Sequence, residues 1–445
     1  MKKYILFSLI IIEGLIVSIF TDNLAIFFFN LFFLSAGFLI IKLMMNEKRT
    51  LAYTLFGVFY LISFTYTVTT DMIFVSNPYT DYFATPDSSD FYLNAEIISR
   101  NNSIYEMFLE SSDMFSSSPG FVTILSILFS FSNKIDSPHT IIMKLLSVFS
   151  GAMITVLTFF MLLNIVYKKR AFASALTFGL CSPIFIQSSV ILRDINIALI
   201  FTVMFYILIE HRRNVFGTIL TTLLVYIAYL FRPEHGLFSL IFLFFNLYYY
   251  SSEKSFTKYI YGTLSLILLI FLISQFEAEE QFDETTGYYN EWNQERAFSK
   301  GQEESLGLAI YRLPAIIRVP MASAFSQLMP LPVWAPAIED SFMITQSISG
   351  FFWYFVWCFI FFGLINKKYE DYPKKYLYPL IISILLIIIA SSEVAPRRVM
   401  AGYPMLFCFS AYSFYSFNKY QKTKIIIFSF FIYLFLHLAY LLIKV

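Results

Sequence analysis

Leu24-Ala-Ile-Phe-Phe-Phe-Asn-Leu-Phe-Phe-Leu-Ser-Ala-Gly-Phe-Leu-Ile-Ile-Lys-Leu-Met44 carries a single charge, Lys42, close to its end. A helix rises 1.5 Å per residue, so about 20 apolar residues cross the roughly 30 Å hydrocarbon core of a bilayer. This run is long enough to do so. Further apolar runs of comparable length lie near residues 4–20, 51–70, 141–166, 171–190, 195–210, 215–231, 236–250, 259–275, 344–365, 376–392, 399–416 and 424–443. The expected architecture is therefore an all-α polytopic membrane protein with about thirteen transmembrane helices, and a range of about 11–14 because two pairs of spans are separated only by tight turns. Residues 1–445 are read as one integral membrane domain.

Composition agrees. Of 445 residues, 58% are hydrophobic and 14% charged, against about 45–50% apolar and ~25% charged in an ordinary soluble domain. Phe and Tyr, at 54 and 31 residues, suit lipid-facing packing and interfacial anchoring. Cys181, Cys358 and Cys408 each sit inside an apolar run, without metal-site or disulfide spacing, and read as packing residues. Met1-Lys2-Lys3 and the apolar run after it resemble a signal peptide, but no small-residue cleavage site follows, so the run is read as an uncleaved first span.

Cationic loops are retained in the cytoplasm. With the N-terminus inside, the inner loops hold Lys48 and Arg49, Lys168 to Arg170, Arg212 and Arg213, Lys254 and Lys258, Lys367 to Lys375, and Lys419 to Lys424, so every one of them is basic. The apolar stretch Pro119 to Ser132, about fourteen residues, is too short to cross. Counting it would also put Lys168 to Arg170 outside, so it reads as an interfacial or re-entrant helix. Two long extracytoplasmic loops remain, 71–140 and 276–343. The second begins with an acidic run from Glu277 to Glu304, read as a solvated loop, and then turns Pro-rich.

Four outer places put charge beside span ends, where ionisable residues are costly and face a cavity, a partner or a substrate. Arg193-Asp194 is read either as an interfacial pair with Asp194 near an N-cap or as functional; neighbours in sequence do not face each other on a helix and so do not simply neutralise one another. Arg232-Pro233-Glu234-His235-Gly236 makes a turn for which Pro and Gly suffice, leaving Arg232, Glu234 and His235 as candidates unless Glu234 only pairs with Arg232. Arg397-Arg398 is a basic pair on the side where the rest of the chain avoids one. It suits either anionic lipid headgroups or a phosphate clamp, since guanidinium offers a bidentate fork to phosphate oxygens. In the first outer loop, Asp87 or Ser88 caps a helix, or Asp87 or Asp90 takes the proton of an acceptor hydroxyl as a general base.

Carboxylates and arginines on one side of a helical bundle, with no nucleotide-binding loop, suit transfer of a group from a phosphate-bearing lipid. The candidate catalytic residues are Asp87, Asp90, Asp194, Glu234 and His235; the candidate lipid-diphosphate binders are Arg193, Arg232, Arg397 and Arg398. No cofactor, metal or nucleic-acid partner is expected.

Asp87-Ser-Ser-Asp90-Phe-Tyr92-Leu-Asn-Ala95 resembles the Asp-bearing first outer loop of the GT-C type membrane glycosyltransferases. A short apolar segment beginning Ser118-Pro119-Gly120 follows it, as in that family, and then a span ending in Lys168-Lys169-Arg170. Arg193-Asp194, Phe231-Arg232-Pro233-Glu234 and Pro396-Arg397-Arg398-Val-Met-Ala-Gly-Tyr-Pro404 resemble charged outer positions of such transferases and of the Wzy- and EpsG-like polysaccharide polymerases. Two extra spans precede the Asp-bearing loop, and a tight acidic metal motif is lacking, unlike the usual GT-C layout.

The resemblance implies a GT-C-like helical bundle that polymerises undecaprenyl-diphosphate-linked repeat units of O-antigen or capsule at the outer face of the bacterial cytoplasmic membrane. Its partners would be polyprenyl-phosphate- or diphosphate-linked saccharides, the bilayer and a chain-length regulator. A GT-C enzyme adding one sugar from a polyprenyl-phosphate donor is the alternative. A flippase for lipid-linked oligosaccharide is a second one; it predicts charges along span centres, and Glu13 alone is counted there.

Overall fold

A computed structural model describes residues 2–44, 49–74, 86–101, 103–210, 215–250, 315–328, 341–390 and 396–444. These residues are helical or in turns, with no strand among them. In chain order the helices are α1 (Lys2–Phe20), α2 (Leu24–Met44), α3 (Arg49–Phe74), α4 (Pro86–Ile98), α5 (Ile104–Met114), α6 (Pro119–Ile135), α7 (Thr140–Leu162), α8 (Lys168–Cys181), α9 (Pro183–Gln187), α10 (Arg193–Glu210), α11 (Val215–Phe231) and α12 (Pro233–Tyr250). Then come α13 (Ala315–Leu328), α14 (Ser341–Ile365), α15 (Lys374–Ala390), the single turn α16 (Pro396–Val399), a 3-10 turn (Met400–Gly402), α17 (Tyr403–Ser416) and α18 (Lys419–Lys444).

Five of the described helices contain stretches long and apolar enough to cross a membrane: Leu24–Met44, Arg49–Met72, Thr140–Leu162, Thr345–Ile365 and Lys419–Leu442. The protein is a helical one of membrane character. The expected span 259–275, most of the loop 276–343 and residues 75–85 of the first loop lie outside the described residues.

α7 is the centre of the bundle. Apart from Leu146 and Phe149, every side chain from Thr140 to Leu162 is buried, as befits a helix apolar all round. α2, α3, α8, α10 and α17 pack against it. α18 lies at the margin, with Phe431, Phe435, Leu438 and Leu442 exposed where lipid would stand.

Two expected spans are broken rather than continuous. The run 171–190 divides at Ser182-Pro183, because proline cannot donate to the ladder and instead opens a new turn, with Ser182 Oγ accepting from the Ile184 amide as its cap. The run 399–416 starts as a 3-10 turn, and its α-helix begins only at Tyr403, with Pro404 in the first turn. The apolar segment after Pro119 is a 17-residue helix reaching Ile135, longer than the sequence reading gave it.

Irregular backbone at membrane depth has to be satisfied by protein, since lipid offers no hydrogen bonds. The irregular turn 188–192 meets this requirement through α7: Ser147 Oγ donates to the Val190 carbonyl at 2.7 Å, and Ser150 Oγ donates to Asn196 Oδ1 at 2.7 Å. Asn196 Nδ2 in turn donates to the Leu192 carbonyl at 3.2 Å. These contacts fix where α10 starts, and so where Arg193 and Asp194 stand.

Candidate functional site

Asp194 lies in the first turn of α10, ahead of its apolar stretch, and is buried. Arg232 lies in the α11–α12 turn, equally buried, and donates from Nη1 to Asp194 Oδ1 at 3.0 Å. Its Nε faces Glu234 Oε2 at 3.6 Å. The turn is fixed by close helix contact: a Cβ on Gly236 would stand 2.3 Å from the Tyr229 Cα of α11, and one on Gly120 of α6 would stand 2.7 Å from the Leu230 Cβ. Only glycine lets α12 fold back so tightly on α11 there.

Arg397, from the single turn α16, reaches the same carboxylate from the other side. Its Nε stands 3.9 Å from Asp194 Oδ2, while its Nη2 donates to Asp87 Oδ2 in the first turn of α4 at 2.5 Å. Its Nη1 is buried with no hydrogen-bond partner among the described residues. The neighbouring Arg398 lends its backbone carbonyl to His235 Nε2 at 3.1 Å, which fastens α16 to α12. If Nε2 is the donor, as a carbonyl partner requires, Nδ1 carries the lone pair, and it too is buried without a described partner.

Arg193 completes the set but turns the other way. Its Nη1 donates to the Ser117 carbonyl at 2.8 Å, and its guanidinium lies 5.6 Å from the Phe91 ring centroid, joining α10 to α4 and the α5–α6 turn. Asp90 is exposed and forms no ion pair with a described residue. Asp87, one turn earlier on α4, is the carboxylate of the first loop that meets the arginines.

The charges shape one another. Burial alone would raise the Asp194 carboxyl, but Arg232, Arg397, Arg193 and Arg398 outweigh it and hold it at about 2. Glu234 is likewise lowered, against burial, chiefly by Arg232. Burial, with Arg232 beside it, pushes His235 down to about 4, so its imidazole is neutral at pH 7. Packing around the Arg193 guanidinium and repulsion from Arg232 lower it to about 10, and it stays charged. Asp194 is consequently a poor proton acceptor and a good fixed counter-ion. It holds Arg232 and Arg397 convergent where they would otherwise repel.

One buried ion pair was not singled out in the sequence. Lys144 Nζ stands 2.6 Å from Asp71 Oδ1, both side chains are buried, and Thr140 Oγ1 donates to the same carboxylate at 3.1 Å. Lys144 therefore lies within an apolar helix long enough to span, as Lys42 does, and corrects a count that held Glu13 alone. A strongly apolar run absorbs a single lysine without losing its span-like character, which is why the residue did not stand out.

No known protein family matches this chain, nor does any curated protein or solved structure.

Proposed function

We propose that this protein is an O-antigen or capsule-type polysaccharide polymerase that joins undecaprenyl-diphosphate-linked repeat units at the outer face of the bacterial cytoplasmic membrane. In this reading the chain is a GT-C-like bundle of about thirteen spans with a cytoplasmic N-terminus. The observation that carries the proposal is the convergence of Arg232 and Arg397 on buried Asp194, with the more exposed Asp87 paired to Arg397 and with Arg193 and Arg398 close enough to act on the same carboxylate.

A cluster of guanidiniums held by one unreactive carboxylate suits a diphosphate leaving group, because preorganised positive charge stabilises negative charge as it develops. The acceptor oxygen forms a bond to the donor's anomeric carbon while the bond from that carbon to the diphosphate oxygen breaks. The electron pair leaves with the diphosphate, and the acceptor's proton passes to a carboxylate, for which Asp87 is the best placed. Single-sugar transfer by a GT-C enzyme would use the same chemistry with a monophosphate donor. A flippase is less well supported, since Lys144, the charge within the central helix, is paired with Asp71 near one end of that helix rather than at its middle.

Deletion of the gene, followed by electrophoresis of the surface glycan, tests the proposal. A polymerase defect leaves one repeat unit on the lipid anchor, whereas a transferase defect leaves long chains that lack a branch. An unchanged chain-length distribution would sink the polymerase reading, and a glycan unchanged in both length and branching would sink both.

A further inference from the structure

Arg397 is incompletely engaged. It presents a fork of five N–H donors, yet Asp87 takes Nη2, Asp194 stands off from Nε at 3.9 Å, and Nη1 is buried with no described partner. A carboxylate seated for structural reasons alone would gain by a bidentate grip on two of those nitrogens. Asp87 instead holds one corner.

The two carboxylates around Arg397 also differ in how readily they can leave. Asp194 is 6% exposed and tied to Arg232, whereas the Asp87 side chain is 50% exposed and Arg397 itself 24%. Asp87 can turn into water at little cost, and in the first turn of α4 its charge remains favoured by the helix dipole when it does so. Once it has turned away, Arg397 keeps only the more distant Asp194 as its counter-charge among the described residues, and that carboxylate is already shared with Arg232. Arg397 is then open to an incoming anion.

Resting on the lipid-diphosphate reading of the site, we propose that Asp87 is a resident stand-in for the substrate's phosphate: it occupies Arg397 in the empty protein, and an incoming phosphate oxygen displaces it. Displacement frees the carboxylate oxygen that Arg397 had held, and that oxygen accepts the proton of the acceptor hydroxyl. Donor binding thus uncovers the base. The base is exposed only when a donor is present to react.

The test is equilibrium binding by the full chain in lipid nanodiscs, with undecaprenyl diphosphate and inorganic pyrophosphate as separate probes, for the wild type, Asp87→Asn, Asp87→Ala and the double variant Asp87→Asn/Arg397→Ala. Removal of the internal competitor makes both single variants bind both probes about two- to fivefold tighter, the range expected for a partly exposed ion pair, while glycan polymerisation is lost. The gain disappears in the double variant. Unchanged affinity would leave Asp87 a base with no exchange, and weaker affinity would make it structural; either result overturns the proposal while the diphosphate reading stands. A gain confined to the lipid probe would locate the effect away from Arg397 and overturn it as well. If no form of the protein binds either probe, the diphosphate reading itself fails, and the exchange with it.

Discussion

Arg232 and Asp194 form an ion pair at 3.0 Å with both side chains almost wholly removed from solvent, 38 positions apart in the chain. Breaking a buried pair from one side strands the other charge, at a cost of about 3–5 kcal/mol. Asp194→Asn should be the harsher change, since it removes the common counter-ion of Arg232 and Arg397 and leaves the two guanidiniums facing each other. Thermal unfolding of the purified variants should show both Asp194→Asn and Arg232→Ala well below wild type. The double variant Asp194→Asn/Arg232→Ala should lose less than the sum of the singles, and on the proposed function all three should fail to polymerise glycan.

His235 makes the site pH-sensitive in a defined direction. Its folded-state value of about 4 lies below the ordinary 6.5, so the unfolded chain binds the proton more readily. Stability from the neutral, buried imidazole is therefore complete above pH 6.5 and declines as the pH falls towards 4, by on the order of 2–3 kcal/mol for this one group. The charged ring would also stand beside Arg232. His235→Asn, which keeps a donor for the Arg398 carbonyl and cannot titrate, should flatten the unfolding temperature between pH 7 and pH 4.5 while wild type drops across that interval. Equal pH dependence in the two proteins would exclude His235 as the source.

Much of this arrangement was readable in advance, and the limits are instructive. Ionisable residues amid apolar sequence stand out because burying them is expensive, so Arg193-Asp194, Arg232-Pro233-Glu234 and Arg397-Arg398 could be picked out without knowing their neighbours. Their pairing could not. Arg397 meets Asp87 across 310 positions, and no local period encodes such a contact. The choice between Asp87 and Asp90 also stayed open in the sequence, because a spacing of three puts both on one helix face; both are exposed, and Asp87 is the one that pairs with Arg397. Helix breaks were written locally in Ser182-Pro183 but masked by a hydropathy that runs through them. The polar residues that hold the turn 188–192, Ser147, Ser150 and Asn196, are small and scattered within apolar runs, and only their convergence gives them a role.

Gly236 offers a test of how tightly the site depends on helix approach. An alanine methyl there would sit 2.3 Å from the Tyr229 Cα and 2.7 Å from its backbone nitrogen, and backbone cannot swing aside as a flexible side chain can. α12 would have to move away from α11, carrying His235 and Glu234 with it and opening the turn that presents Arg232. Overpacking of this kind costs about 1–3 kcal/mol. Gly236→Ala should therefore lower the unfolding temperature moderately yet abolish polymerisation, a larger functional than structural loss. Full glycan length in a stably expressed Gly236→Ala strain would show that the close packing is not needed to place Arg232.

The pair Lys144–Asp71 calls for the opposite pattern. It is buried and reinforced by Thr140, and it joins α3 to the start of α7 rather than pairing with the arginines around Asp194. Lys144→Met would leave the buried Asp71 carboxylate without its ammonium, and Asp71→Leu would leave the ammonium without its carboxylate, each costing about 3–5 kcal/mol. Replacing both partners with apolar groups of similar size removes the desolvation cost along with the attraction, and such exchanges are often neutral or stabilising. The double variant Lys144→Met/Asp71→Leu should accordingly recover most of the unfolding temperature lost by either single change and should polymerise glycan at close to wild-type length. If the double variant were stable but inactive, the pair would have to act in the reaction or in substrate passage, and the separation drawn between a structural ion pair under α7 and a chemical one around Asp194 would have to be abandoned.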